Sequence, residues 1–254
     1  MPPAFGKQDV QAAATRAPLV TGFDTEVWEL KNAEILHLAF EVVEGPAEWL
    51  IPPALHPSIP PYATLSVARF PTSPAGPFML AQVRLVVRAG IRPRGYLLGA
   101  YTNSEPAAKE LRVRWGFTVG LATIALQARH DRIIGQVVRD GQTILEMELE
   151  NPEQVSGTDV TYLDSLHLTR VMENGKETSL IVQIDPEYVF HNAQRGRPRL
   201  ISLQADAWGA DGRLRCTNPM HATFCHCDTD LPTLRFAMDP SVPAVQGSRR
   251  LAAK

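Results

Sequence analysis

The segment Trp115-Gly116-Phe117-Thr118-Val119-Gly120-Leu121-Ala122 directly follows the strongest helix prediction in the chain. That helix covers residues 105–114, because Ser104 is a favourable N-cap residue and Pro106 suits the first helical turn. Residues 118–128 are apolar enough to form either a strand or a helix. The residues alone therefore predict a helix that ends at this segment and leave the next element open.

The rest of the chain is dominated by apolar or alternating runs that predict strands. They cover residues 34–43, 64–70, 79–89, 95–101, 133–139, 143–150, 161–171 and 179–184. Asp140-Gly141 and Asn174-Gly175 lie between such runs and are typical of hairpin turns, and Asp211-Gly212 indicates a third turn. Many strands with one or two helices predict a mostly β (α+β) fold with a mainly antiparallel sheet.

The composition is that of an ordinary globular protein, with 254 residues, 44% hydrophobic and 20% charged. A net charge of −2 gives no reason to expect nucleic acid or an anionic membrane as a partner. There is no apolar run of transmembrane length and no secretory signal, so we expect a cytoplasmic protein. We predict one domain at 23–238, a flexible arm at 1–22 with a short helix at 8–16, and a flexible tail at 239–254.

Three stretches carry a resemblance to the acetoacetate decarboxylase family. The segment at 115–122 resembles the family's W-G-F-P-K-K-L-A motif, and Leu50-Ile51-Pro52-Pro53-Ala54-Leu55 resembles its early L-P-P-x-L turn. Gly76-Pro77-Phe78-Met79-Leu80 is similar to its G-P-Y-x-E motif. The resemblance runs in patches from Trp28 to Leu234. It implies a double-sheet, closed β-cone with a central cavity, and a short turn followed by a strand at 118–128.

The same resemblance implies that the family's usual chemistry is missing. In the family the first lysine of the motif forms a Schiff base with the substrate ketone, but Val119 stands at that position and Gly120 replaces the neighbouring cation. Leu80 replaces the active-site glutamate, and Ala33 is nearest to the substrate-contacting arginine. A relocated lysine, for which Lys109 is the best candidate, remains an alternative.

Four polar side chains are the candidate catalytic residues. Arg112 keeps the arginine of the family's motif, and its permanently charged guanidinium suits a carboxylate or an enolate oxygen. Gln82 and Arg84 alternate with Leu80 along a predicted strand, so they line the cavity if Leu80 does. His37 lies mid-strand among apolar residues, either as a hydrogen-bonded core histidine or as a general acid–base.

The cavity wall is predicted from positions around these four. The candidate substrate-binding residues are Tyr62, Leu80, Tyr101, Arg114, Trp115, Phe117 and Val119. Their apolar and aromatic character suits a hydrophobic, oxygenated molecule such as a polyketide- or terpenoid-like intermediate. Core packing is the alternative for each aromatic residue.

A cluster of cysteine and histidine residues near the C-terminus has the residue types that zinc prefers. Cys216, His221, Cys225 and Cys227 nevertheless lack the paired spacing of zinc knuckles. On a strand, His221, Cys225 and Cys227 share one face, which leaves either a three-ligand site or simply a late strand. We favour the strand and expect no metal and no other cofactor.

A scaffold that keeps its motif and loses its nucleophile can still catalyse, by holding a reactive conformer and stabilising developing charge. We therefore expect a cofactor-independent enzyme of secondary metabolism that performs a cyclase, isomerase or lyase-type step without decarboxylation. The alternatives are a non-catalytic binding protein that uses the same cavity, and a decarboxylase or aldolase with a relocated lysine. We expect a homo-oligomer with a hydrophobic small-molecule substrate.

Overall fold

The computed structural model describes residues 5–173 and 175–251 and consists mainly of β-strands. The first eight are β1 (Leu19–Val20), β2 (Trp28–Val42), β3 (His56–Pro57), β4 (Tyr62–Phe70), β5 (Phe78–Ala89), β6 (Arg92–Thr102), β7 (Val119–Leu121) and β8 (Thr123–Ala128). The others are β9 (Arg132–Arg139), β10 (Gln142–Val155), β11 (Ser165–Glu173), β12 (Lys176–Ile184), β13 (Tyr188–Leu203), β14 (Cys216–Leu231), β15 (Phe236–Met238) and β16 (Ser248–Arg250). The helices are α1 (Val10–Ala14), α2 (Glu44–Ala47), α3 (Glu105–Trp115) and α4 (Ala244–Gly247). The mostly β fold class is confirmed.

The strands form one hydrogen-bonded path in the order β16-β15-β12-β11-β6-β5-β4-β2-β14-β13-β10-β9-β8. Neighbours along the path are antiparallel except β6 and β11, and the short strands β1, β3 and β7 pair beside it. Strand β8 curls back to pack near β4 and β5. The two ends, β8 and β16, are not paired with each other in the described part of the chain, so the sheet is not closed into a barrel. The predicted closed cone is corrected in this respect.

The side chains along β2 alternate between two separate hydrophobic cores. Leu36 and Leu38 point into the larger core, whereas Ile35 points into the second. His37 lies on the same side as Ile35, because side chains repeat every second residue along a strand. The second core also contains Leu111 of α3, so this helix covers the side of the sheet that carries His37.

Helix α3 forms where the sequence predicts it, one residue longer. The Ser104 side chain accepts a hydrogen bond from the Ala107 amide at 3.4 Å, and Pro106 lies in the first turn. Gly116 ends the helix with φ of +66°, a conformation that favours glycine. Strands β7 and β8 follow, as the family resemblance implies. No helix in the described residues is long and apolar enough to cross a membrane.

The predicted turns are also present. Asp140-Gly141 adopts φ of 50° and 77° between β9 and β10, as a type I′ hairpin requires. Strands β11 and β12 pair antiparallel across a turn in which Gly175 has φ of 75°, while Asn174 lies outside the described residues. Asp211-Gly212 takes φ of 45° and 67° in the third turn.

Strand β13 has no counterpart in the sequence predictions. Its alternating residues Arg195, Arg197 and Arg199 face the glutamates of β10 in the ladder, and Arg199 pairs with Glu150 at 3.1 Å. A strand with one charged face has little of the apolar signal on which prediction depends. Strand β14 is the late strand that we favoured for the cysteine-rich segment.

Both terminal segments carry regular structure. Helix α1 agrees with the predicted short helix, and the Asp9 side chain caps it by accepting from the Ala12 amide at 3.1 Å. At the other end, β16 pairs with β15, and Ala244 and Leu251 are buried. Buried side chains thus hold the described parts of both segments, while the flexibility of the arm at 1–22 and of the tail at 239–254 stays a prediction. The domain limits at 23 and 238 remain a prediction.

Candidate active site

A small cavity lies on the second face of the sheet, beside β2, β4 and β5. Its volume is about 60 Å³, which is room for about two water molecules at the roughly 30 Å³ that each occupies in the liquid. The polar side chains that line it are His37, Ser66, Gln82, Arg84, Tyr162, Ser165, Tyr188, Thr229 and Asp230, and its apolar wall includes Leu80 and Phe117. The structure thus brings together five of the sequence-predicted positions, which are His37, Leu80, Gln82, Arg84 and Phe117.

Arg84 is a buried cation without an anion. The residue is 8% exposed, its Nη1 donates to the Leu163 carbonyl at 3.4 Å, and its Nε makes no hydrogen bond. Every ion pair among the described residues uses another cation. Burial lowers the pKa of Arg84, yet a guanidinium stays charged at neutral pH. An unpaired buried charge is costly, so this site favours a bound anion.

Gly95 of β6 provides the space for the Arg84 side chain. A Cβ atom at position 95 would lie 2.9 Å from Cδ and 3.3 Å from Cβ of Arg84. Carbon atoms in contact prefer separations of about 3.5–4.0 Å, so any other residue at position 95 would displace the arginine. The position of the Arg84 side chain on β5 therefore depends on the glycine at position 95 of the neighbouring strand β6.

His37 lies beside this cation and is held neutral. Burial, with Arg84 and then His221 adding repulsion, lowers the pKa of His37 well below its usual value. Its ring packs at 5.1 Å from the ring of Tyr162 and at 5.6 Å from that of His221. Its Nδ1 is buried without a hydrogen-bond partner. A neutral imidazole with a free ring nitrogen is available to exchange a proton with a bound molecule.

Two tyrosines complete the polar wall, and sequence reasoning missed both. Burial raises the pKa of Tyr162 well above its usual value, with the Cys225 thiol adding to the effect, and burial raises the pKa of Tyr188 to about 12. Their rings meet edge to face at 5.1 Å. Both hydroxyls are therefore protonated at neutral pH and can donate hydrogen bonds. Neither carries a sequence signal, because only tertiary packing brings them to the cavity.

Sequence reasoning also missed a serine–histidine pair at the start of β11. The Ser165 Oγ lies 2.8 Å from Nε2 of His167, and Nδ1 of the same ring lies 3.0 Å from the Trp115 carbonyl. Burial lowers the pKa of His167 to about 3. The signal that could have found the pair is the i, i+2 spacing within the predicted strand at 161–171, which puts both side chains on one face.

Arg112 does not line this cavity. Its Nε and Nη2 both donate to the Val119 carbonyl, at 3.0 and 2.7 Å, which ties α3 to β7. Trp115 is fully buried, donates from Nε1 to the Pro232 carbonyl at 2.8 Å, and packs edge to face on Trp28 at 5.1 Å. The polar groups of this part of the motif are thus satisfied within the protein.

The remaining predicted wall residues also lie elsewhere. Arg114 pairs with Glu110 at 2.7 Å on the surface of α3, and Tyr62 is not in the cavity lining. Tyr101 and Val119 face a wider groove of about 590 Å³ on another side of the motif. There the Tyr101 hydroxyl donates to the Ala207 carbonyl at 2.6 Å and accepts from Arg139 at 2.9 Å. Because these groups satisfy one another, we regard the small cavity as the better candidate site.

The described lysines do not reach the small cavity. Lys7 pairs with Glu48, Lys31 with Asp228, and Lys109 and Lys176 are exposed. Lys254 lies outside the described residues. The relocated-lysine alternative therefore has no support from the described part of the chain.

The cysteine-rich strand β14 packs as an ordinary strand. Cys225 and Cys227 are buried free thiols, and burial raises the pKa of Cys227 to about 12. Within residues 5–173 and 175–251, no three His, Cys, Asp or Glu side chains come together in an arrangement that could hold a metal ion. His221 instead packs on His37.

Comparisons with known proteins place the chain in a family. The family model of acetoacetate decarboxylase (ADC) matches residues 14–228. Acetoacetate decarboxylase from Legionella pneumophila subsp. pneumophila strain Philadelphia 1 is similar in structure, with a TM-score of 0.73 and 17% identity over 83% of this chain and 86% of that chain. An acetoacetate decarboxylase-like enzyme from Sphingomonas wittichii RW1 superimposes with a TM-score of 0.64 and 13% identity over 90% of this chain and 93% of that one.

A third similar structure is the enduracididine biosynthesis enzyme MppR, in complex with the condensation product of pyruvate and imidazole 4-carboxaldehyde. It has a TM-score of 0.65 and 14% identity over 89% of this chain and 90% of that chain. No curated protein matches the sequence. At these identities the solved structures show the shared fold alone, whereas the family model covers most of the chain. The chain belongs to the acetoacetate decarboxylase family.

Proposed function

We propose that this protein is an enzyme that acts on a small oxygenated acid in the cavity around Arg84, without forming an imine. The observation that carries the proposal is the buried, unpaired guanidinium of Arg84 in a cavity that no described lysine reaches. Arg84 on strand β5 would thereby have the anion-binding role that the sequence suggested for Arg112. Leu80, at the position of the family's glutamate, places an apolar side chain in the cavity wall.

The volume of the cavity limits the substrate. About 60 Å³ corresponds to the volume of about two water molecules in the liquid, so the cavity suits only a small acid of about three carbon atoms. A polyketide- or terpenoid-sized molecule, which the sequence suggested, is too large unless the cavity opens. MppR has been solved in complex with pyruvate, an acid of suitable size, which supports the proposal.

The arrangement suits proton transfer next to a carbonyl group. Arg84 would hold the carboxylate or the enolate oxygen, and neutral His37 would take a proton from the adjacent carbon and return it at another position. The positive charge of Arg84 contributes to the lowered pKa of His37. An anion bound to Arg84 would offset that charge and make His37 a stronger base. Such an isomerisation, or an elimination in which His37 returns the proton to a departing hydroxyl group that leaves as water, needs neither a covalent amine nor decarboxylation.

The first test compares Arg84→Met with Arg112→Met for the binding of propionate and pyruvate, measured by NMR titration. We expect Arg84→Met to weaken binding about a hundredfold, or about 2.7 kcal/mol, because it removes the buried charge. Arg112→Met, the matched control, should bind normally and melt several degrees lower, since it loses the two bonds to the Val119 carbonyl. Equal binding by wild type and Arg84→Met would contradict the proposal.

A second test separates catalysis from mere binding and from imine chemistry. Borohydride added with acetoacetate or pyruvate should leave the protein mass unchanged, whereas a stable adduct on a lysine would restore the relocated-lysine alternative. In D₂O the protein should speed the exchange of the hydrogens next to the carbonyl of a bound oxo acid, and His37→Gln should abolish that acceleration. Binding without any accelerated exchange would indicate a non-catalytic binding protein.

A further inference from the structure

Ser165 and His167 form a hydrogen-bonded relay that ends at the Trp115 carbonyl. The carbonyl determines which group donates in each of the two bonds. The Trp115 carbonyl, 3.0 Å from Nδ1 of His167, can only accept a hydrogen bond. Nδ1 therefore carries the proton. Because the buried ring is neutral, with its pKa lowered to about 3, Nε2 carries a lone pair. The Ser165 hydroxyl, 2.8 Å from Nε2, must then donate its proton to His167.

This direction decides what Ser165 can offer to the cavity that it lines. A serine hydroxyl has one proton and two lone pairs, and the proton is already committed to His167. The Gly95 carbonyl, 3.4 Å from Ser165 Oγ, is a poorer partner for that proton than Nε2. Toward the cavity, Ser165 is therefore an acceptor and not a donor.

The pair resembles the nucleophile and base of a serine hydrolase only in its distances. In such a hydrolase a carboxylate at the other ring nitrogen stabilises the protonated imidazole, whereas here Nδ1 of His167 meets only the Trp115 carbonyl. The edge of the Phe117 ring packs on the imidazole at 4.2 Å and adds to its dry surroundings. His167 is thus better suited to fix the Ser165 hydroxyl than to activate it.

We infer that Ser165 is a specificity-determining residue, and that the bound acid carries a hydroxyl or amino group that donates a hydrogen bond to Ser165 while its carboxylate lies on Arg84. This inference rests on the proposed function, because it takes Arg84 as the anion site. His167 is a positioning residue, since it acts only through Ser165. A ligand that presents a carbonyl oxygen to Ser165 would have to break the Ser165–His167 bond and leave Nε2 buried without a donor.

The test uses acids with a three-carbon skeleton that differ in one group. Lactate and 3-hydroxypropionate carry a donor hydroxyl on either carbon, pyruvate carries an acceptor, and propionate carries neither. We expect one of the two hydroxy acids to bind wild type at least about tenfold more tightly than propionate and pyruvate, as measured by NMR titration. Ser165→Ala should remove this preference and leave propionate binding unchanged.

Two further variants separate the relay from general effects on folding. His167→Asn keeps a donor for the Trp115 carbonyl but no longer reaches Ser165, so the freed hydroxyl should bind pyruvate and lactate nearly equally. Ser58→Ala removes a buried hydroxyl outside the cavity and should keep the wild-type preference. Thermal melting of each variant checks that it is folded.

The outcomes distinguish the two proposals. Equal binding of propionate and both hydroxy acids by wild type, with Arg84→Met weakening all of them, would overturn the role of Ser165 and leave the proposed function standing. Failure of every acid to depend on Arg84 would overturn the proposed function itself. Covalent labelling of Ser165 by a fluorophosphonate probe would also overturn the inference, since it would show that the hydroxyl is a nucleophile.

Discussion

The segment at 115–122 and the cavity around Arg84 lie on the same side of the sheet but differ in how their polar atoms are used. In and beside the segment, Arg112 donates twice to the Val119 carbonyl and Trp115 donates to the Pro232 carbonyl. In the cavity, Nδ1 of His37 and Nε of Arg84 are buried without partners. The polar groups of the motif segment are thus bonded within the protein, whereas the unpartnered polar atoms lie in the cavity. A motif that has lost its nucleophile can persist because it holds the fold.

The largest expected effect would test the structural half of this comparison. Trp115→Ala should cost about 3–5 kcal/mol, because it removes a fully buried indole and leaves a cavity. Such a loss corresponds to a fall of about 6–20 °C in melting temperature for a protein of this size. Trp49→Ala is the matched control, since that side chain is 50% exposed, and it should change the melting temperature little. If both variants melt alike, the segment is not the structural anchor that its packing indicates.

An acid titration sharpens the other half of the comparison. The pKa of His167 is about 3 in the folded protein, against 6.5 for an unperturbed side chain. Above pH 6.5 both states are neutral there, so stability does not change. Below pH 6.5 His167 becomes protonated in the unfolded chain but stays neutral in the folded protein. The free energy of unfolding should therefore fall by about 2–3 kcal/mol by pH 4.5. His37, whose pKa is also lowered, acts in the same direction.

Urea unfolding at pH 7.5 and pH 4.5 measures this loss. His167→Asn should lose clearly less stability between the two pH values than wild type does, because asparagine does not titrate and position 167 then binds no proton in the unfolded chain. Arg112→Met retains both histidines and should keep the wild-type dependence. A wild-type protein equally stable at both pH values would mean that His37 and His167 are accessible to water and protons.

Local pattern was enough to predict most of the fold. Ser104 and Pro106 fixed the start of α3, and Asp140-Gly141 fixed a hairpin, since each acts through its immediate neighbours. The polar strand β13 was not predicted, because it is stabilised by pairing with β10. The local sequence pattern contains no information about this pairing. Closure of the sheet was predicted wrongly, because it depends on whether two distant edges meet.

The candidate site could be predicted only along single strands. Leu80, Gln82 and Arg84, which alternate along β5, all line the cavity, and their role there stays a prediction. Tyr162, in the segment before β11, and Ser165, at the start of β11, reach the same cavity. Spacing within one strand could therefore not connect them with Arg84. Arg112 drew attention because it keeps a motif position, whereas its contacts join α3 to β7.

The smallest expected effect tests the link between the sheet and the anion site. Gly95→Ala places a methyl group where Arg84 Cδ would be 2.9 Å away, so the arginine must shift within a packed cavity. We expect carboxylate affinity to fall about tenfold, equivalent to about 1.4 kcal/mol, with little change in melting temperature, because a flexible side chain moves more easily than the strand. Gly22→Ala meets no atom within 4 Å and serves as the control.

The double variant Gly95→Ala with Arg84→Met makes this prediction decisive. If the methyl group acts only by displacing Arg84, it should cost no further affinity once the guanidinium is absent, since residues in contact are not additive. Additive losses would mean that Gly95 shapes the cavity independently of Arg84. In that case the anion site would extend to the backbone of β6 beside Gly95, and the contrast between a satisfied motif and an unpaired cavity would have to include that strand.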